Sequence, residues 1–148
     1  MKPIRKALLV AIPAMLALGP PAIAADDSGR KISTNLDGAS EAPGPGDPDG
    51  TGTFSARINP GQEQICYELS VAGIAPAAAA HIHKAPKGSP GPVVVGLTAP
   101  AQGKSAECKA IARDLAIAII QNPQDYYVNV HNADHPPGAV RGQLAKGD

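Results

Sequence analysis

The chain has 148 residues, its 13 basic side chains balance 13 acidic ones, and its aromatic residues are only Phe54, Tyr67, Tyr126 and Tyr127. A clustered basic surface and a base-stacking platform are both absent, so nucleic acid is not an expected partner. The length suits one domain and one core rather than two.

Residues 1–24 carry Lys2, Arg5 and Lys6, then the apolar run "ALLVAIPAMLALGPPA", then "AIA" at Ala22, Ile23 and Ala24. This is the pattern of a secretory signal peptide. A retained membrane anchor is disfavoured, because Pro13 and the Pro20, Pro21 pair interrupt a stretch already short for roughly 30 Å of hydrocarbon. Cleavage after Ala24 is expected to release residues 25–148 as a secreted or periplasmic protein with no stable membrane anchor. The leader holds three basic and no acidic residues, so the mature part has 10 against 13 and a net charge near −3.

After the leader the periodicity is mostly that of strands. "KISTNLDG" reads as an edge strand before the loop "SEAPGPGDPDG". "GTGTFSARIN" alternates Phe54, Ala56 and Ile58 with polar residues, and "QICYELSV" alternates Ile65, Tyr67, Leu69 and Val71 with Cys66, Glu68 and Ser70. The turn "NPGQ" between them predicts a hairpin. "AAAAHIH", "PVVVGL", "YYVNVHN" and "AVRGQL" follow as further short strands between Gly/Pro-rich loops. "CKAIARDLAIAIIQNP" departs from this pattern: Ile111, Leu115 and Ile119 recur every four residues and Pro123 stops the run, which predicts a short helical crossover. The expected fold is all-β, an antiparallel β-sandwich with one short helix. The two cysteines, Cys66 and Cys108, both lie in the exported part. In an oxidising compartment they pair most simply as a disulfide, with two buried free thiols as the alternative.

"AAHIHKAPKGSPGPVVVGL", the cysteine after it, and "PQDYYVNVHNADHPPGAVRGQL" resemble the CHRD domain, a module known from chordin and common in exported bacterial proteins. "LDGASEAPGPGDPDGTGTFSARI" fits the opening of the same family, so the resemblance runs from about Ile32 to Leu144. It implies an immunoglobulin-like or similar β-sandwich over residues 25–148. It implies no defined molecular activity, and the growth-factor binding of chordin does not transfer on fold alone.

Side chains two apart on a strand share a face, so His81 and His83 point the same way and Ile82 the other. On "YYVNVH", Tyr127, Asn129 and His131 share one face and Val128 and Val130 the other. If both strands bury their aliphatic faces and are neighbours, His81, His83 and His131 converge outside the hydrophobic core. A His-x-His strand with a third histidine from another suits copper or zinc with an open coordination position. The same arrangement loosely resembles the copper site of copper/zinc superoxide dismutases, with Arg141 as a candidate anion guide. It departs from that family in having no bridging histidine, no zinc-binding histidine and aspartate set, and no comparable electrostatic loop. His135 falls in the turn before Pro136.

The alternative for the histidines is a polar pair on a sheet face, hydrogen-bonded to backbone or to Asp134 with no ion. The other candidates also read more simply as structure: Tyr126 and Tyr127 as packing, Arg141 as a surface ion pair, and Asn129 as a strand-end hydrogen bonder. Asp47 and Asp49 lack the spaced ligands and closing Glu of a calcium loop. No Ser elbow, phosphate loop or free-thiol motif is present. The expected function is a non-enzymatic exported binding module, with a metal ion, a protein or a cell-surface polymer as ligand. The alternative is a copper or zinc metalloenzyme built on the three histidines.

Overall fold

The alternating stretches at 51–59 and 64–72 form the expected hairpin, β2 (Thr51–Asn59) and β3 (Gln64–Ala72), paired in register from Thr51 with Ala72 to Asn59 with Gln64. The computed structural model describes residues 29–148; the signal peptide expected at 1–24 lies outside the described residues. The other strands are β1 (Arg30–Asp37), β4 (Ala77–Lys84), β5 (Val93–Leu97), β6 (Lys104–Ala110), β7 (Tyr126–Asn132), β8 (Val140–Gln143) and the short β9 (Ala145–Lys146). All pairings are antiparallel, and the strands join in the order β5-β4-β7-β8-β1-β2-β3-β6, with β9 beside β1. The all-β expectation therefore holds in the form of one curled antiparallel sheet with one short helix.

Three local expectations are corrected. β1 is not an edge: it lies between β8 and β2, and the sheet ends at β5 and β6. Cys108 does not begin a helical crossover, because residues 104–110 form β6, an edge strand opposite β3. In "KSAECKA" Ala106, Cys108 and Ala110 alternate with Ser105, Glu107 and Lys109, but those apolar residues are small and exposed, so the strand period is weak beside the four-residue spacing that follows it. The helix, α1, is shorter than expected and spans Arg113–Gln121. Asp114 in its first turn complements the helix dipole, Pro123 follows its end, and Ala116 and Ile119 turn inward. Ile111 precedes the helix and is buried, its N–H donating to the Glu63 carbonyl at 2.8 Å.

The cysteines are direct cross-strand partners, Cys66 on β3 and Cys108 on β6, and form a disulfide that ties the edge strand down. One apolar cluster draws on Ile32, Phe54, Leu69, Ile82, Val128, Val130 and Val140 and on Ile119 of α1. The opposite face of β4, β7 and β8 is polar, yet it is not left to solvent. Segments 38–50, 85–92 and 133–139 fold over it: Asp47 N–H donates to the Ala139 carbonyl at 2.8 Å, and the Gln143 amide donates to the Ala85 carbonyl at 2.8 Å. This second, polar interior is what the strand pattern alone does not reveal.

Candidate metal centre

β4 and β7 are adjacent, and their register sets His81 opposite Asn129, His83 opposite Tyr127 and Ala79 opposite His131. His131 is therefore the diagonal neighbour of His81, within reach of long side chains on the same face. His81 Nδ1 lies 3.2 Å from His131 Nε2. The ring centroids are 5.4 Å apart for His81 and His83, 5.1 Å for His81 and His131, and 6.3 Å for His83 and His131. One nitrogen from each ring falls within 4.8 Å of the others. The structure thus brings together the three histidines singled out in the sequence. His135 stays outside the group, its Nε2 at 3.7 Å from Asp47 Oδ2.

Backbone carbonyls define which nitrogens are free. His83 Nδ1 is 2.9 Å from the Gly91 carbonyl and His131 Nδ1 is 3.0 Å from the Pro136 carbonyl. A carbonyl only accepts, so each Nδ1 carries the proton, and each Nε2 keeps its lone pair. His83 Nε2 is buried and has no hydrogen-bond partner. With its own Nδ1–H on the Pro136 carbonyl, His131 Nε2 accepts the His81 Nδ1–H. In the metal-free protein the lone pairs therefore lie on His83 Nε2, His131 Nε2 and His81 Nε2, and His81 Nδ1 becomes a lone-pair donor only once it gives up its proton. Burial holds the His81 imidazole below its ordinary range, with help from the charges of His131 and His83. Burial also lowers His131, partly opposed by its bond to the Pro136 carbonyl. Neutral rings, the form that ligates, are thereby favoured at neutral pH.

The orientation of His83 is held by the segment after β4. The Gly91 peptide receives the His83 Nδ1–H through its carbonyl and donates its own N–H to the Tyr127 hydroxyl at 3.3 Å. Arg141 Nη2 donates to the Pro86 carbonyl at 3.1 Å, and Gln143 Nε2 donates to the Ala85 and Gln124 carbonyls at 2.8 and 2.7 Å. A Cβ on Gly91 would meet the Lys84 carbonyl oxygen at 2.1 Å, so only glycine lets the loop approach this closely.

Arg141 and Asn129 differ from their sequence readings. Arg141 is 1 % exposed and its guanidinium stacks 3.5 Å over the Tyr127 ring, so it is neither a surface ion pair nor an accessible anion guide. Asn129 is buried in the middle of the sheet beside His81. Glu41 was not singled out in the sequence at all. Loop 38–50 carries it onto Gly138, where a Cβ would meet Glu41 Oε1 at 2.2 Å. Its carboxyl is pushed up to about 7 by burial, against the opposing pull of Arg141, the Ala42 N–H and Asn129. Glu41 Oε1, Asn129 Oδ1 and Arg141 Nη1 are buried without partners in the structure. Strand parity would have placed Arg141 with the histidines, but nothing in "SEAPGPGDPDG" signals that its glutamate turns inward.

Surface grooves also lie elsewhere. One of about 410 Å³ runs along the disulfide beside Arg57, Tyr67 and Glu107, and it contains no convergent ligating group. Among the described residues, the three histidines are the only cluster of histidine, cysteine and carboxylate groups spaced to hold an ion.

Against known proteins, the family model for the CHRD domain matches residues 32–144. No curated protein and no solved structure matches.

Proposed function

The chain belongs to the CHRD domain family, and from that premise we propose that it is an exported, non-enzymatic binding module that holds one copper or zinc ion through His81, His83 and His131. The observation that carries this reading is the buried, unpartnered Nε2 of His83, on a residue that groups with His81 and His131 so that one nitrogen from each lies within 4.8 Å of the others. An orphaned buried acceptor is costly, on the order of 1–3 kcal/mol, and ligation removes that cost. Metal–nitrogen bonds of about 2.0–2.1 Å hold ligand atoms roughly 3–4 Å apart, so modest ring rotations complete the set. Neutral imidazole suits copper and zinc, and the Nδ1–H bonds to Gly91 and Pro136 are the outer contacts that orient such ligands.

Export is supported by the leader pattern at 1–24 and by the disulfide, which fits an oxidising compartment. Among the described residues no helix is long and apolar enough to cross a membrane. The partner of the module is a protein or a cell-surface polymer.

A metalloenzyme is the second reading, favoured by one feature. His81 and His131 are only partly buried, so a fourth position opens to solvent. A bound copper would supply one-electron chemistry there, and zinc would supply Lewis acidity. The burial of Arg141 under Tyr127 removes the anion guide on which a dismutase-like reading drew. Turnover that vanishes in His81→Ala would favour the enzyme.

Elemental analysis of protein purified from its native export route tests the proposal. Close to one copper or zinc per chain is expected, with a mature N-terminus at Ala25. Protein free of copper and zinc would overturn the metal reading.

A further inference from the structure

His83 is the ligand whose direction is most constrained, and the constraint comes from a side chain that touches no ion. The Tyr127 ring is parallel to the His83 imidazole, with centroids 4.7 Å apart and planes 3° from coincidence. β4 and β8 flank β7 on opposite sides, and from the β8 side Arg141 lays its guanidinium 3.5 Å over the same ring. The Tyr127 hydroxyl accepts the Gly91 N–H, and the carbonyl of that same residue accepts the His83 Nδ1–H. One phenol therefore fixes both the plane in which His83 lies and the residue that selects its tautomer.

We infer that Tyr127 is a positioning residue for His83, clamped by Arg141 and anchored through Gly91, and that it keeps His83 Nε2 free and aimed at the other two histidines. The inference deepens the metal reading and rests on it for its purpose. A half-turn of the His83 ring would exchange Nδ1 for a carbon at the Gly91 carbonyl and remove the free Nε2 from the cluster. The stack on Tyr127 resists tilting of the ring, and the Gly91 carbonyl resists the half-turn. Plain packing explains the burial of Tyr127 but not the two bonds that converge on one glycine. Arg141 completes the clamp by holding Tyr127 from the other side while its Nη2 secures the Pro86 carbonyl of the same loop.

The test uses the full mature chain in three forms: wild type, Tyr127→Phe and Tyr127→Leu. Nitrogen NMR on the metal-free proteins reports the His83 tautomer, and Cu²⁺ titration with paramagnetic resonance reports affinity and ligand geometry. Wild type should hold His83 as the Nδ1–H tautomer. Tyr127→Leu should show a tautomer mixture, a changed copper signal and an affinity about 10–100-fold lower, the usual effect of losing an outer contact. Tyr127→Phe keeps the stack and loses the hydroxyl, so it should retain the tautomer, exchange its Gly91 amide faster and bind about threefold more weakly. A folded Tyr127→Leu protein with unchanged tautomer and affinity would overturn the inference. If the leucine variant does not fold, unchanged amide exchange and affinity in Tyr127→Phe would overturn it instead. A wild type that binds no copper or zinc, yet whose His83 tautomer responds to Tyr127 as described, would defeat the metal reading and leave the positioning role standing.

Discussion

His83 shows how far one residue can be read from sequence and where the reading stops. Strand parity correctly places it off the aliphatic core with His81, yet it is buried, at 8 % exposure, because loop 85–92 closes over that face. Replacing it by alanine therefore removes one of the three proposed ligands and leaves Tyr127 stacked on Arg141 alone. We expect His83→Ala to abolish most metal affinity and to cost about 1–3 kcal/mol of stability, read by chemical denaturation. The titrating groups give opposite slopes. His81 and His131 are held below the usual histidine value, so the unfolded chain takes up their protons first as pH falls. Stability of the metal-free protein should thus be full above about pH 6.5 and decline as pH drops from there through the lower folded values. Glu41 acts the other way: its folded carboxyl keeps its proton to about 7 while the unfolded one ionises near 4.5. Its contribution is greatest below 4.5 and is lost as pH rises through 7. Glu41→Gln, which cannot ionise, should gain on wild type in melting temperature as pH is raised from 4.5 to 8; a difference independent of pH would refute the assignment.

Legibility of the elements follows from how many faces each one buries. β2 and β3 alternate cleanly because one side packs on the core and the other is wetter, so the hairpin and its turn were readable. β6 is hard to read, because the apolar parity of this exposed edge strand is only Ala106, Cys108 and Ala110, too small to mark a core face. The polar interior over β7 and β8 was equally hidden, since Asn129 and Arg141 look like surface residues until loops 38–50 and 85–92 are laid over them. The loops themselves are testable. A methyl group on Gly91 must displace the Lys84 carbonyl, so Gly91→Ala should destabilise the fold by about 1–3 kcal/mol and weaken metal binding together. The disulfide should behave differently, because β3 and β6 lie at the far end of the strand order from β4 and β7. Closing a loop with 42 residues of separation contributes roughly 4 kcal/mol in the chain-entropy model. Replacing Cys66 and Cys108 by serine should lower the melting temperature on the order of 10 °C while leaving metal affinity unchanged. A matched loss of affinity would mean that the two ends of the sheet are coupled.

At the scale of the whole molecule, the curled sheet separates two interiors. An aliphatic one, from Ile32 to Val140, holds the strands together, and a polar one on the reverse of β4, β7 and β8 orients the histidines. The stretches that carry the family resemblance, "HIHKAPKGSPG", "YYVNVH" and "AVRGQL", meet in that second interior, through Gly91, Tyr127 and Arg141. Their clustering gives the signature a physical meaning: two strands bring the three histidines together, the loop between β4 and β5, locked from β8, orients His83, and the Pro136 carbonyl orients His131. Calorimetric titration of Cu²⁺ and Zn²⁺ at neutral pH into wild type and the single variants His81→Ala, His83→Ala, His131→Ala and His135→Ala tests this account most directly. One ion per chain is expected in wild type and in His135→Ala, whose histidine pairs with Asp47 outside the cluster, with affinity collapsing in the other three. Equal, weak binding in all five proteins would contradict the metal centre and leave the histidines as a purely structural signature.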